Sequence, residues 1–349
     1  MRTTDWESRQ LIDQALRLQA TDIHFHPLET RTILFYRIHG RLHKMGVMNK
    51  RDSERLIAHF KFRSGMDIGE KRRPQNASVF EKRSFLPVNL RFSTMPSQLR
   101  ESLSIRLLPQ YEAFTLSRIT FDTNLASFFR YLLTERQGLV ILTGPTGSGK
   151  TSTLYTFMNE ISYRNNRIVS IEDPIEIQND QFIQTEINEK AGLSYTEMLR
   201  SSLRHDPDVL MIGEIRDEDT AQLAIRAALT GHLVLTTMHA NSPFGAIRRL
   251  LDYNLSLLDL EETLLCISSQ GLFPRYCPFC QRSGCSPYCQ IYKRMSRIAL
   301  FDILAKKELQ EALSEHTSND HPLTFSRQNQ WWKGLALGLF SEEMRYAYG

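Results

Sequence analysis

The chain lacks the features that would carry it into or through a membrane. In 349 residues no uninterrupted apolar stretch reaches the roughly 18 that a spanning helix needs. Its opening, Met-Arg-Thr-Thr-Asp-Trp-Glu, has no apolar core of the kind a secretion signal requires. Charge of one sign is also missing: 43 Lys and Arg against 39 Asp and Glu leave +4, too little to argue for a nucleic-acid surface. The densest basic run, Lys71-Arg72-Arg73, has no interleaved aromatics and reads as a solvated loop. Cysteine is scarce, with five in the chain. Without an export signal the expected setting is the reducing cytoplasm, where a cysteine cluster points to metal rather than to disulfides. Repeats and low-complexity segments are absent. Hydrophobic residues at 41% and charged residues at 23% exclude long disorder, and the length allows two domains.

What the chain does have is a complete phosphate-binding loop: Gly144, Pro145, Thr146, Gly147, Ser148, Gly149, Lys150 and Thr151. The run 138–143 ahead of it reads as a buried strand, and Leu154, Phe157, Met158 and Ile161 mark one face of a helix behind it. Glycines let backbone N–H groups turn inward to phosphate oxygens, and the helix N-terminus adds its positive end. Lys150 supplies a charge for the β- and γ-phosphates of ATP and Thr151 a hydroxyl for magnesium.

Ahead of this core, residues 1–110 read as a small α+β unit. Asp5 is expected to cap a helix carrying Ile12, Ala15 and Leu16, followed by strands over 22–26, 32–38, 88–94 and 103–108. His24 and His26 share a strand face, and a solvent-facing pair is the better reading than a metal pair. Residues 111–121 read as a linker, 122–270 as an ATPase core of alternating strands and helices, and 271–349 as a helical, cysteine-bearing extension. Further core strands are expected over 167–171, 209–212 and 233–236, with helices opened by Ser194 and Asp217, the second placing Leu229 inward and ending at Gly231. The run 263–267, which holds Cys266, reads as an apolar helical segment.

Ligands of parallel sheets bind at the carboxyl ends of the strands. Each later strand ends there in polar residues: Glu172, Asp173 and Glu176; then Glu214; then His239. Glu214 follows four apolar residues, the position of a magnesium-side acid, while Glu172, Asp173 and Glu176 all offer a base for water. His232 and His239 flank the last strand and join the candidate site.

In this order the motifs resemble those of the secretion and pilus-assembly ATPases. The resemblance rests on the phosphate loop, on 171–176, on 203–217 and on 230–242. In the first domain it rests on Asp22-Ile-His24, 37–41, Pro74-Gln75 and 91–96. It implies a cytoplasmic homo-hexamer on the inner face of the membrane, with an N-terminal PAS-like domain and a RecA-like ATPase domain, working on a membrane-embedded platform protein and through it on pilins. Carried onto this chain, it implies Glu176 as base, Glu214 as magnesium ligand with Thr151, and His239 and His232 as phosphate sensors. Ser152, Glu172 and Asp173 would line the nucleotide, and Arg91 and Arg106 would reach the γ-phosphate. Cys277, Cys280, Cys285 and Cys289 suit tetrahedral zinc, or else are four reduced structural cysteines. Their close spacing differs from the two separated pairs of longer relatives. The compact chain most resembles motors that assemble a competence pseudopilus for DNA uptake, with a retraction or type II secretion motor as the neighbouring reading. From another class, a RecA-like nucleic-acid translocase would share this core, but the balanced charge disfavours direct contact with nucleic acid.

Overall fold

The structure is a computed structural model and describes residues 3–38, 40–83, 87–98, 100–110, 115–162, 164–283, 297–314 and 322–344. It divides into two compact units, Met1–Tyr111 and a second beginning at Glu112.

In the first unit, helix α1 (Thr4–Arg17) is capped by Thr3, whose side chain accepts from the Trp6 N–H; Asp5, expected as the cap, lies in the first turn instead. Strands β1 (Ala20–Pro27), β2 (Arg31–Ile38) and β3 (Arg41–Asn49) lead into α2 (Lys50–Arg63), and β4 (Gln75–Glu81), β5 (Val88–Pro96) and β6 (Glu101–Pro109) complete an antiparallel sheet in the order β3-β2-β1-β6-β5-β4. Strand periodicity assigns the two faces. Ile23, Phe25, Tyr36, Leu90, Phe92 and Ile105 point into one core with Ile12 and Phe60 of the helices. The other face carries a row of paired positions across the strands: Ser78 opposite Arg91, Arg91 opposite Arg106, Arg106 opposite Asp22, and Asp22 opposite Arg37. His26 is exposed as expected, but His24 is half-buried with Nδ1 3.2 Å from the Ser104 hydroxyl, because β6 lies beside it.

The second unit opens with α3 (Leu116–Ile119) and α4 (Thr123–Leu132), so part of the stretch expected as linker is helical and buries Leu116 and Ile119. Then come β7 (Gly138–Thr143), α5 (Lys150–Ser162), β8 (Ile168–Glu172), β9 (Ile183–Glu186), α6 (Tyr195–Ser202), β10 (Val209–Ile212), α7 (Glu218–Leu229), β11 (Leu233–Met238), α8 (Pro243–Asp252), α9 (Leu257–Thr263) and β12 (Leu264–Pro274). A short hairpin, β13 (Tyr276–Cys277) and β14 (Arg282–Ser283), precedes β15 (Arg297–Ala305), α10 (Lys306–Ser314) and α11 (Arg327–Ala336). The sheet order is β15-β12-β7-β11-β10-β8-β9, parallel except for β15. The capping residues Ser194 and Asp217 stand where expected, and Gly231 takes a left-handed φ of 98° just past α7.

Three expectations are corrected here. The run around Cys266 is strand, not helix: a continuous apolar stretch has no period to separate the two, and β12 is buried because it lies between β7 and β15. Cys266 itself is core, as expected. The region beyond residue 270 is not simply helical, since β12 runs on to Pro274 and β15 joins the same sheet. Leu229, expected inward, is 43% exposed at the end of α7. The outer edge of β15 is bridged by Phe325, which exchanges backbone hydrogen bonds with Ile303 at 2.8 and 3.3 Å.

Alternate residues of the central strands feed two cores. Leu139 and Ile141 face α6 to α10, while Val140 and Leu142 face α3, α4 and α5. In the second core Phe129 is fully buried, with ring centroids 5.0 Å from Phe157 and 5.4 Å from Phe301. Phe129→Ala removes the ring that joins α4, α5 and β15. We expect it to lower stability by about 3–5 kcal/mol, measured by urea unfolding of the purified chain. A loss below about 1 kcal/mol would mean that this core collapses around the gap.

Candidate active site

Strand β7 delivers the chain into the phosphate loop, where Gly144, Gly147 and Gly149 take φ of 135°, 80° and 90°. Side chains rarely adopt these angles, so the loop needs glycine at all three. Pro145, Thr146 and Gly147 form the exposed tip and Ser148 is buried. Lys150 opens α5, and Thr151 and Ser152 follow in its first turn, half-buried. The Lys150 ammonium donates to the carbonyls of Gly144 at 2.7 Å and Pro145 at 3.2 Å, lying back along the loop. Burial lowers its pKa, opposed by the carboxylates of Glu214 and Glu176. The loop lysine and two of the acids expected on its flank are therefore brought together.

Glu214 follows β10. Its two oxygens meet Arg216 Nε at 2.6 Å and His239 Nε2 at 3.2 Å. Arg216 Nη1 also lies 3.4 Å from Asp173, so it ties the ends of β8 and β10. Hydroxyl and carboxylate oxygens are the donors a hard divalent cation prefers, and Thr151 with Glu214 supplies that chemistry.

The carboxylates at and after the end of β8 differ in their surroundings. Glu172 is 3% exposed and accepts from the Tyr155 hydroxyl at 2.8 and 2.9 Å and from the Ser170 hydroxyl at 2.8 Å. Burial raises its pKa even against those bonds. Gln184 donates to the Tyr155 oxygen at 2.8 Å and to the Ile177 carbonyl at 2.9 Å, so the network supports the segment that carries Glu176. Through Tyr155 and Gln184, Glu172 is joined to the segment that carries Glu176.

His232 is not brought to the phosphate loop. It stands before β11, and Leu233 pairs with Gly138 at the start of β7, whereas the loop follows Thr143 at the other end. The length of the strand separates the two ends by about 20 Å. His232 Nδ1 instead lies 3.0 Å from the Ala227 carbonyl and 3.2 Å from the Thr230 hydroxyl, closing the end of α7. His239, past the far end of the same strand, does reach Glu214.

Arg91 and Arg106 belong to the first unit. They line a cleft of about 500 Å³ with Asp22, Ser78, Ser93 and Ser104. Arg106 Nε donates to Asp22 at 3.0 Å, whereas Arg91 Nε and Nη2 are buried without a hydrogen-bond partner among the described residues. Buried donors left unmade cost about 1–3 kcal/mol each, which an incoming anionic oxygen would recover. Of the cysteines, Cys277 and Cys280 close a turn between β13 and β14, where the Cys280 N–H points to Cys277 Sγ at 3.4 Å. Cys285 and Cys289 lie outside the described residues, and among the described residues no group of three or more potential metal ligands is gathered.

The structure adds Arg216, Tyr155 and Gln184, which sequence reasoning misses. Arg216 has a signal in its place between Glu214 and Asp217, at an acidic strand end. Tyr155 and Gln184 carry no such signal, since their partner is a side chain buried under another strand.

A family model described as Type II/IV secretion system protein matches residues 6–336. Competence protein ComGA of Halalkalibacterium halodurans is 46% identical over 347 residues, covering 98% of each chain. Competence protein ComGA of Bacillus subtilis is 41% identical over 333 residues, covering 95% of this chain and 94% of that one. Among solved structures, the Legionella pneumophila ATPase DotB is similar in fold, with a TM-score of 0.76 and 21% identity, over 98% of this chain and 95% of that one.

Lys150→Ala deletes the one loop side chain able to bridge the outer phosphates. ATP turnover, followed by phosphate release, is expected to fall by at least about a hundredfold. Near-normal turnover with intact circular dichroism would remove the loop from the chemistry.

Proposed function

From the premise that this chain belongs to the Type II/IV secretion system protein family, we propose that it is the ATP-hydrolysing motor that powers assembly of a competence pseudopilus. The observation that carries the proposal is the placing of the 144–151 loop, Glu214 and Glu176 after the carboxyl ends of the parallel strands β7, β10 and β8. A loop of inward N–H groups with a mobile ammonium suits a triphosphate, and a carboxylate beside it suits water activation.

In this reading the backbone N–H groups of 144–151 and the Lys150 ammonium take the phosphate charge. Thr151 and Glu214 hold the magnesium ion, which supplies charge neutralisation when bound. Glu176 orients and deprotonates the attacking water. To His239, 3.2 Å from Glu214, we assign the sensing of the outer phosphate. Arg91 and Arg106 give the first unit a positive cleft whose charge is only partly met by Asp22, and we assign to them the neutralisation of the transferring phosphoryl group. We place the motor in a homo-hexamer made of a PAS-like and a RecA-like domain, acting at the cytoplasmic face on a membrane platform protein and so on pilins. Among the described residues no helix is long and apolar enough to cross a membrane.

We also propose that Cys277, Cys280, Cys285 and Cys289 together hold one zinc ion. Four sulfur ligands suit a tetrahedral zinc ion, and the turn closed by the Cys280 N–H on Cys277 Sγ supports the first pair.

Two measurements test these readings. Glu176→Gln is expected to keep ATP affinity while hydrolysis drops about 10²- to 10⁴-fold, because a base acts on water and not on ground-state binding. If weaker ATP binding were the main effect, the base would be another carboxylate. Elemental analysis of tag-free protein purified without chelators is expected to find about one zinc per chain, falling when Cys277 and Cys280 are changed to Ser. Protein free of zinc would leave these cysteines as structural thiols.

A further inference from the structure

Gln270 lies on β12, outside the phosphate loop and outside the acidic strand ends. Its side chain is almost fully buried. The Thr153 hydroxyl, in the second residue after Thr151 on α5, donates to Gln270 Oε1 at 2.9 Å. Gln270 Nε2 in turn donates to the Ser148 carbonyl at 2.8 Å. One amide therefore joins the middle of the phosphate loop to the helix that follows it. The approach is close: a Cβ on Gly144 would lie 2.4 Å from the Gln270 carbonyl oxygen, and one on Gly149 would lie 3.0 Å from Gln270 Nε2. Gly144 is thus needed for space against the Gln270 backbone as well as for its positive φ, and a side chain at Gly149 would crowd the Gln270 amide.

The bond to Ser148 fixes a direction. A trans peptide is planar, with its C=O and its N–H on opposite sides. Pinning the Ser148 carbonyl toward β12 turns the Gly149 N–H the other way, away from Gln270 and toward the hollow of the loop. Without that bond, the peptide between Ser148 and Gly149 is free to rotate between two glycine-permissive conformations, and only one of them presents a donor to phosphate.

We propose that Gln270 is a positioning residue for the nucleotide: it holds the peptide between Ser148 and Gly149 in the phosphate-binding orientation before nucleotide arrives. The proposal rests on the phosphate-loop reading above and adds to it a residue from a distant strand. It also assigns Thr153 a part, as the donor that keeps the Gln270 amide in the orientation that leaves Nε2 for Ser148.

The test compares wild type, Gln270→Met, Thr153→Val and the double variant, with magnesium present. ADP affinity is measured by calorimetry and ATP turnover by phosphate release. Gln270→Met keeps the length of the side chain but makes neither bond, and ADP binding is expected to weaken about ten- to a hundredfold. KM for ATP should rise by a similar factor while kcat at saturating ATP falls far less, the pattern of lost binding rather than lost folded protein. Thr153→Val should weaken binding in the same direction but less. The double variant should be no weaker than Gln270→Met, because both changes dismantle the same pair of bonds. Wild-type affinity in folded Gln270→Met, or two losses that simply add, would overturn the strut. Should Gln270→Met fail to fold, Thr153→Val decides alone, and unchanged ADP affinity there overturns it. A wild-type chain that bound no ADP would overturn the phosphate-loop reading itself.

Discussion

Parallel strands covered on both faces leave only their ends to meet water, and the second unit is ordered by that constraint. β7, β8, β10 and β11 are buried along their whole lengths. Polar side chains have no place within these strands unless they are paired, so they collect where the strands stop. At one end that collection is the phosphate loop, Glu176, Glu214 and His239. Glu172 shows the cost of stepping back into the strand, where a carboxylate needs Tyr155 and Ser170 as donors and has its pKa raised by burial.

The first unit solves a different problem. An antiparallel sheet with helices on one face has a second face to dispose of, and here strand alternation lays polar residues in rows across it. Arg91 and Arg106 stand directly opposite each other, an arrangement that like charges oppose. Asp22 relieves one of them only. The remaining charge leaves this face positive, and the same alternation that builds the core on one side sets these arginines on the other.

Much of this is legible in the sequence because it rests on backbone requirements that few residues meet. The glycine spacing of 144–149 allows one structure, and Glu214 after four apolar residues allows one position. The strand from Val88 and its partner from Leu103 are readable by alternation. What is not legible depends on partners far along the chain. β3 and β4 bury no residue fully and so announce no core face, while α2 buries Leu56, Ile57 and Phe60 among many charged neighbours. Cys266 sits in a run whose apolar residues are continuous because β12 has neighbours on both sides. His232 and His239 look equivalent as neighbours in sequence, yet an extended strand sends its two flanks to opposite ends of the sheet. Gln270 is the same lesson from the other direction. It stands 122 positions along the chain from Ser148, the loop residue it holds, and its role exists only because β12 lies beside β7.

The bridge between Ile303 and Phe325 bears on how the chain behaves when crowded. An open strand edge is a template for pairing with another chain, and β15 would be a long and apolar one. Phe325 takes up hydrogen-bonding groups on that edge, and Glu308 and Ala305 engage Thr324 just before it. The opposite edge, β9, is only four residues long and ends in Glu186. At the point of this bridge, and along so short a strand as β9, the sheet of the second unit offers a neighbouring copy less open edge to pair with.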